Sequence, residues 1–141
     1  MKSKRPAGFL NVDLEIVSSK SLVSLGKVLE KSAVVLHCGK LGRMHLVCLE
    51  SLKCWNTPDE AARDLCRVIE QLSTAARRSW DSAYQKEFNL GYELRVDQHA
   101  VQVRLHPKTV RRIVALDATV AFTCYQAEER GAEKKQARSA R

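Results

Sequence analysis

His37, Cys38, His45 and Cys48 place four soft or borderline metal ligands within twelve residues of this 141-residue chain. A structural zinc takes about four such ligands and a catalytic one about three, so side-chain direction decides whether the cluster can work. The runs Val34-Val35-Leu36-His37-Cys38 and Arg43 to Leu49 are rich in strand formers and flank Gly39-Lys40-Leu41-Gly42. That pattern predicts a β-hairpin with the four residues from Gly39 to Gly42 as its loop. Cys38 then faces Arg43, His37 faces Met44 and Leu36 faces His45. Side chains alternate at period two, so His37 and His45 fall on opposite faces, and at most Cys38 and His45 share one. Two ligands do not make a zinc site, and neither a metal nor another cofactor is expected.

The glycine spacing also matches the Gly-x-x-Gly loop with which KH domains clamp a nucleic-acid backbone. That loop joins two helices, whereas the flanks here favour strands, and a hairpin turn accounts for both glycines through positive φ. A second cluster is carboxylate. Asp13 and Glu15 share one strand face, Glu93 points outward from a later strand, and Arg104 points outward from another. Together they are the candidate ligand-binding residues, for a cation or for acid–base work; as a solvated sheet face they need no ligand. An RNA-binding sheet would show exposed aromatics for base stacking, but the outward positions here are Asn11, Asp13, Glu15, Asn89, Glu93, Gln102 and Arg104. No nucleophile elbow, phosphate-binding glycine loop or dinucleotide fingerprint is present, so no catalytic residue is assigned.

A third set is the candidate partner-binding surface, although as charged faces of amphipathic helices its arginines need no further purpose. Arg63, Arg67, Arg77 and Arg78, with Arg111 and Arg112, fall on the solvent sides of helical segments. Trp55 sits in a loop before a helix cap, where it either closes the core or anchors a protein contact. Trp80 lies on an apolar stripe and belongs to the core.

These residues are carried by an ordered series of elements. Leu10, Val12, Leu14 and Ile16 alternate with polar residues and predict the first strand. Ser18 or Ser19 caps a helix with Leu22, Leu25, Val28 and Leu29 at helical spacing. After the hairpin, Thr57-Pro58-Asp59-Glu60 is a strong helix start, with a capping threonine, proline in the first turn and acids at the positive end. Its stripe is Ala62, Leu65, Cys66, Ile69 and Leu72. Ser73-Thr74 predicts a bend, and Ala76, Trp80 and Tyr84 a second helical piece. Phe88 to Leu94 and Val101 to Leu105 both alternate and predict a second hairpin turning at residues 96–100. Pro107 opens a short helix with Val110, Ile113 and Val114 inward, behind His106 as an imperfect cap. Val120, Phe122 and Cys124 form a last strand. The order implies an α+β domain over residues 9–125, with about six mainly antiparallel strands and helices on one face, in the manner of a split βαβ, ferredoxin-like sheet.

The segment from Val101 to Tyr125, in which a strand leads through His106-Pro107 into a short helix, a turn and a strand ending in tyrosine, resembles the close of a group of uncharacterised bacterial α+β domains. Such domains more often carry serine where His106 stands. The resemblance extends to the order of elements over residues 9–125. It implies a fold and no activity, and it carries over no functional residue.

Charge and cysteine usage narrow the class. The chain carries a formal net charge of +8, but residues 1–8 supply +3 and residues 126–141 supply +2, so only +3 remains on the domain. A nucleic-acid binder would concentrate its charge on a folded face. Residues 1–8 read as a basic flexible start and 126–141 as a frayed or disordered tail. Five cysteines at scattered spacings argue against a disulfide framework and for a reducing compartment. No apolar h-region and no stretch of ~20 apolar residues is present, so a cytoplasmic protein without membrane contact is expected. The expected function is a non-enzymatic interaction module, a homodimer or a binder of another protein. The alternatives are weak polyanion binding through the arginines and tails, and a small-molecule or metal enzyme.

Overall fold

Strand β1 (Phe9–Ser18) sits at the centre of the architecture because its alternation gives it one largely apolar face, with Val12, Leu14 and Ile16 at 2% exposure or less. The computed structural model describes residues 8–97 and 100–127; the expectations for residues 1–7 and for the tail from 128 onward lie outside them. β1 is followed by α1 (Val23–Leu29), β2 (Ala33–Leu41), β3 (Met44–Ser51), α2 (Pro58–Glu70), α3 (Thr74–Asp81), β4 (Gln85–Leu94), α4 (Pro107–Ala115) and β5 (Thr119–Gln126). The five strands form one sheet in the order β2-β3-β1-β4-β5. Every neighbouring pair is antiparallel except β4 and β5, which are parallel.

The fold is therefore α+β with a mainly antiparallel sheet, and it has five paired strands among the described residues rather than six. Residues 101–106 alternate in burial as expected, with Val101, Val103 and Leu105 against the core, but they form no strand pair among the described residues. Both edges of β4 are already occupied, by β1 and by β5, so no hairpin partner can be added. The His106 N–H instead donates to Asp59 Oδ1 at 2.7 Å and draws the segment to the start of α2.

Local chemistry explains most boundaries. Thr57 Oγ1 accepts from the Glu60 N–H at 3.2 Å and caps α2, with Pro58 in the first turn. Ser73 Oγ caps α3 in the same way, which fixes the expected bend between the two helices. His106 does cap α4, its Nδ1 accepting from the Lys108 N–H at 3.1 Å. Ser18 and Ser19 do not cap α1: Ser18 is buried at the end of β1 and its Oγ accepts from the Lys20 N–H. The α1 stripe is Leu22, Leu25 and Leu29, with Val28 turned outward. Tyr84 lies beyond the end of α3 and is exposed, so the aromatic stripe stops at Trp80. On α4, Ile113 is buried while Val110 and Val114 are exposed, contrary to the expected inward trio.

The helices cover the Leu14 face of the sheet. Trp80 is its largest fully buried side chain, and its Nε1–H donates to the Leu116 carbonyl at 3.1 Å, which satisfies the one polar atom the indole brings inside. No helix among the described residues is long and apolar enough to cross a membrane.

The β2–β3 hairpin turns on Gly42 and Arg43 alone, with Gly42 at φ 62°, and Gly39 belongs to β2. A two-residue turn lengthens both strands and moves the register: Cys38 now opposes Val47, His37 opposes Cys48 and Lys40 opposes His45, with an irregularity between Val35 and His37. Cys38 lies on the helix side, against Gly26 in the middle of α1. A Cβ at Gly26 would stand 2.7 Å from the Cys38 sulfur. Gly26→Ala should therefore fail to return the ~1 kcal/mol that alanine gives over glycine inside a helix. Adding Cys38→Ala should restore that gain, since the contact left is Cβ to Cβ at 3.5 Å. Urea denaturation of the single and double variants checks this, and a stabilised single variant would count against it.

Candidate functional site

The pleat that sends Val12, Leu14 and Ile16 inward sends Asn11, Asp13, Glu15 and Val17 to the other face of β1, which no helix covers. Register then decides what stands beside them. Asp13 is opposed by Glu50 on β3 and by Asn89 on β4. Glu15 is opposed by Cys48 on β3 and by Glu87 on β4. Each carboxylate of the central strand thus has another directly across from it, one to either side. Like charges directly opposed in this way destabilise a sheet.

No Lys or Arg of the five strands falls on this face; Lys40 and Lys86 both point to the helix side, Lys86 towards Asp117 at 3.6 Å. The local support is neutral. The Asn11 carboxamide donates to Asp13 Oδ1 at 3.0 Å and to Glu50 Oε2 at 3.2 Å, and so bridges one opposed pair. Room for that amide comes from Gly91 across from it, where a Cβ would lie 2.9 Å from Asn11 Oδ1. Thr123 Oγ1 donates to Asn89 Oδ1 at 2.7 Å beside the same row. Burial pushes the Asp13 carboxyl up to about 6, and the nearby charges of Glu50 and Glu15 add to the shift. Burial likewise lifts the Cys48 thiol to about 11, with the three neighbouring carboxylates in support, so Cys48 is no nucleophile at neutral pH.

Of the four residues expected to bind a ligand together, Asp13 and Glu15 do share this patch. Glu93 is on the same face of β4 but four residues beyond Asn89, about 13 Å along the strand. Arg104 is exposed in the unpaired segment, donating to Gln102 Oε1 at 3.1 Å, and that segment leads to the start of α2 rather than along the sheet. Glu50, Glu87 and Asn11 take their places. The first two are invisible without the register; Asn11 was legible from the alternation of β1, which sets it on the same face as Asp13 and Glu15.

The metal ligands divide two and two. His37 and Cys48 face each other on the open side, while Cys38 and His45 turn to the helix side. Among the described residues no group of three or more His, Cys, Asp and Glu side chains is placed to hold a metal ion.

The expected partner-binding residues are only partly gathered. Trp55, Arg63 and Arg67 line a cleft of about 310 Å³ with Glu60, Asp64 and Arg112. Arg67 is neutralised by Asp64 at 2.7 Å and Arg112 by Glu70, which leaves Arg63 as the one arginine of that cleft without an ion pair among the described residues. Arg77 and Arg78 lie on α3, away from the cleft, and Arg77 pairs with Asp81 one turn on. Trp55 packs against the core with its ring under Lys53 Nζ at 4.3 Å. It also borders a second cleft of about 400 Å³, between the start of β1 and the β3–α2 loop.

No protein-family model matches the chain, and neither a curated protein nor a solved structure matches it.

The raised Asp13 value fixes a sign. An unfolded aspartate loses its proton near pH 4, about two units below the folded one. Between those values the folded protein holds the extra proton, so stability falls as pH rises through this window. Urea midpoints should therefore increase from about pH 7 to about pH 5, and Asp13→Asn should flatten that part of the profile. An unchanged slope in the variant would reassign the effect.

Proposed function

We propose that this chain is a non-enzymatic interaction module whose helix-free sheet face docks a cationic segment of a protein partner. The observation that carries the reading is the two pairs of directly opposed carboxylates, Asp13 with Glu50 and Glu15 with Glu87, on a face to which the strands bring no lysine or arginine. Each opposed pair destabilises the free protein, and a Lys- or Arg-rich segment laid over them turns repulsion into attraction. The metal alternative lacks a ligand group among the described residues, and the polyanion alternative rests on a cleft in which two of three arginines are already neutralised.

The same charges oppose pairing of this face with its own copy, since acid would meet acid. The order β2-β3-β1-β4 with antiparallel neighbours supports a split βαβ, ferredoxin-like reading with β5 added outside it. The scattered, odd-numbered cysteines support a cytoplasmic location.

Fluorescence anisotropy with a labelled oligolysine peptide tests the proposal. Binding should weaken steeply with salt, and Glu15→Gln, Glu50→Gln and Glu87→Gln combined should weaken it at least about tenfold. Glu60→Gln on the helix side should leave it unchanged. Equal binding by wild type and the triple variant, or loss with Glu60→Gln instead, sinks the reading.

A further inference from the structure

The two edges of the sheet are built differently. β2 carries an irregularity after Val35, then Gly39 and Lys40, devices that keep an edge strand from pairing. β5 reads Thr-Val-Ala-Phe-Thr-Cys-Tyr-Gln, eight residues with no charge, proline or glycine, in unbroken register with β4. Its outer side is unpaired among the described residues. Phe122 is 57% exposed on the helix side of this strand and Tyr125 54% exposed on the open side. A long, regular, uncharged edge is a template for another strand.

Helix α4 extends the same border. Thr109 and Ile113 face inward, and Arg112 reaches to Glu70 of α2. Successive helical residues turn by about 100°, so Val110 and Val114 lie on the flank opposite Arg112. Because α2 stands over β1 and β3, that flank looks out past β5. Val110 and Val114 are 41% and 69% exposed there. With Phe122 they make an apolar strip along one edge, with a strand's free backbone groups beneath it.

We propose that β5 pairs antiparallel with β5 of a second copy about a two-fold axis normal to the sheet, which joins two five-stranded sheets into one and brings the α4 flanks together. The occupant follows from the charge pattern. A two-fold contact sets residues near the axis against their own kind, so any charge there would repel itself. β5 has none, and the α4 flank offers valine to valine. A foreign strand would impose no such neutrality. The inference stands on the edge alone and is independent of what the acidic face binds.

Sedimentation of the full chain at about 10 μM gives the test. The wild type should run as a dimer of the 15.9 kDa chain. Phe122→Lys and Val114→Lys should each raise the dimer dissociation constant at least about tenfold, and Leu36→Lys on the opposite edge should leave it unchanged. Val114 is solvent-exposed, so its substitution leaves the monomer folded, as far-UV circular dichroism would verify. A wild type that is monomeric at about 100 μM overturns the proposal. So does a dimer that survives both substitutions in folded protein, or one lost only with Leu36→Lys.

Discussion

Everything in this molecule hangs on the pairing of β1 with antiparallel neighbours on both sides. That one strand supplies Val12, Leu14 and Ile16 to the core and Asp13 and Glu15 to the open face. A slip of one residue would exchange the two sets, burying carboxylates and wetting the core. The apolar side makes such a slip prohibitive, since each of those side chains is worth roughly 1.5–3 kcal/mol of burial. The acids are thus held in register by residues on the other side of the same backbone.

This coupling explains how the sheet tolerates like charges facing each other. The repulsion is small beside the burial it is tied to, and the Asn11 amide and half-buried setting distribute it without removing it. No strand lysine neutralises the face: both turn the other way, Lys86 against the Trp80 ring and Lys40 opposite His45. The face is thus uniform in the sign of its carboxylates, at a small cost in stability.

The local signals were legible where one element explained itself. The alternation of β1, the Thr57 cap, the Ser73 break and the burial of Trp80 all follow from short-range chemistry, and each is in the structure. What failed were statements that depend on neighbours. Val101 to Leu105 alternate like a strand, but the edge they needed belongs to β5. The hairpin closes on two residues instead of four, which re-paired every side chain in it, although the even shift leaves Cys38 and His45 on the face opposite His37 and Cys48. Glu50 and Glu87 joined the site, and Glu93 and Arg104 left it, for the same reason: distance along the chain does not encode register.

The position of β1 in chain order has a further consequence, for synthesis. The central strand is made before both of its neighbours, and its second edge stays open until β4 is complete at Leu94. At about 5–20 residues per second, that is a wait of several seconds with an apolar strand unpaired in a crowded cell. Asp13 and Glu15 interrupt its apolar run throughout that interval and act as gatekeepers against intermolecular pairing of the nascent chain.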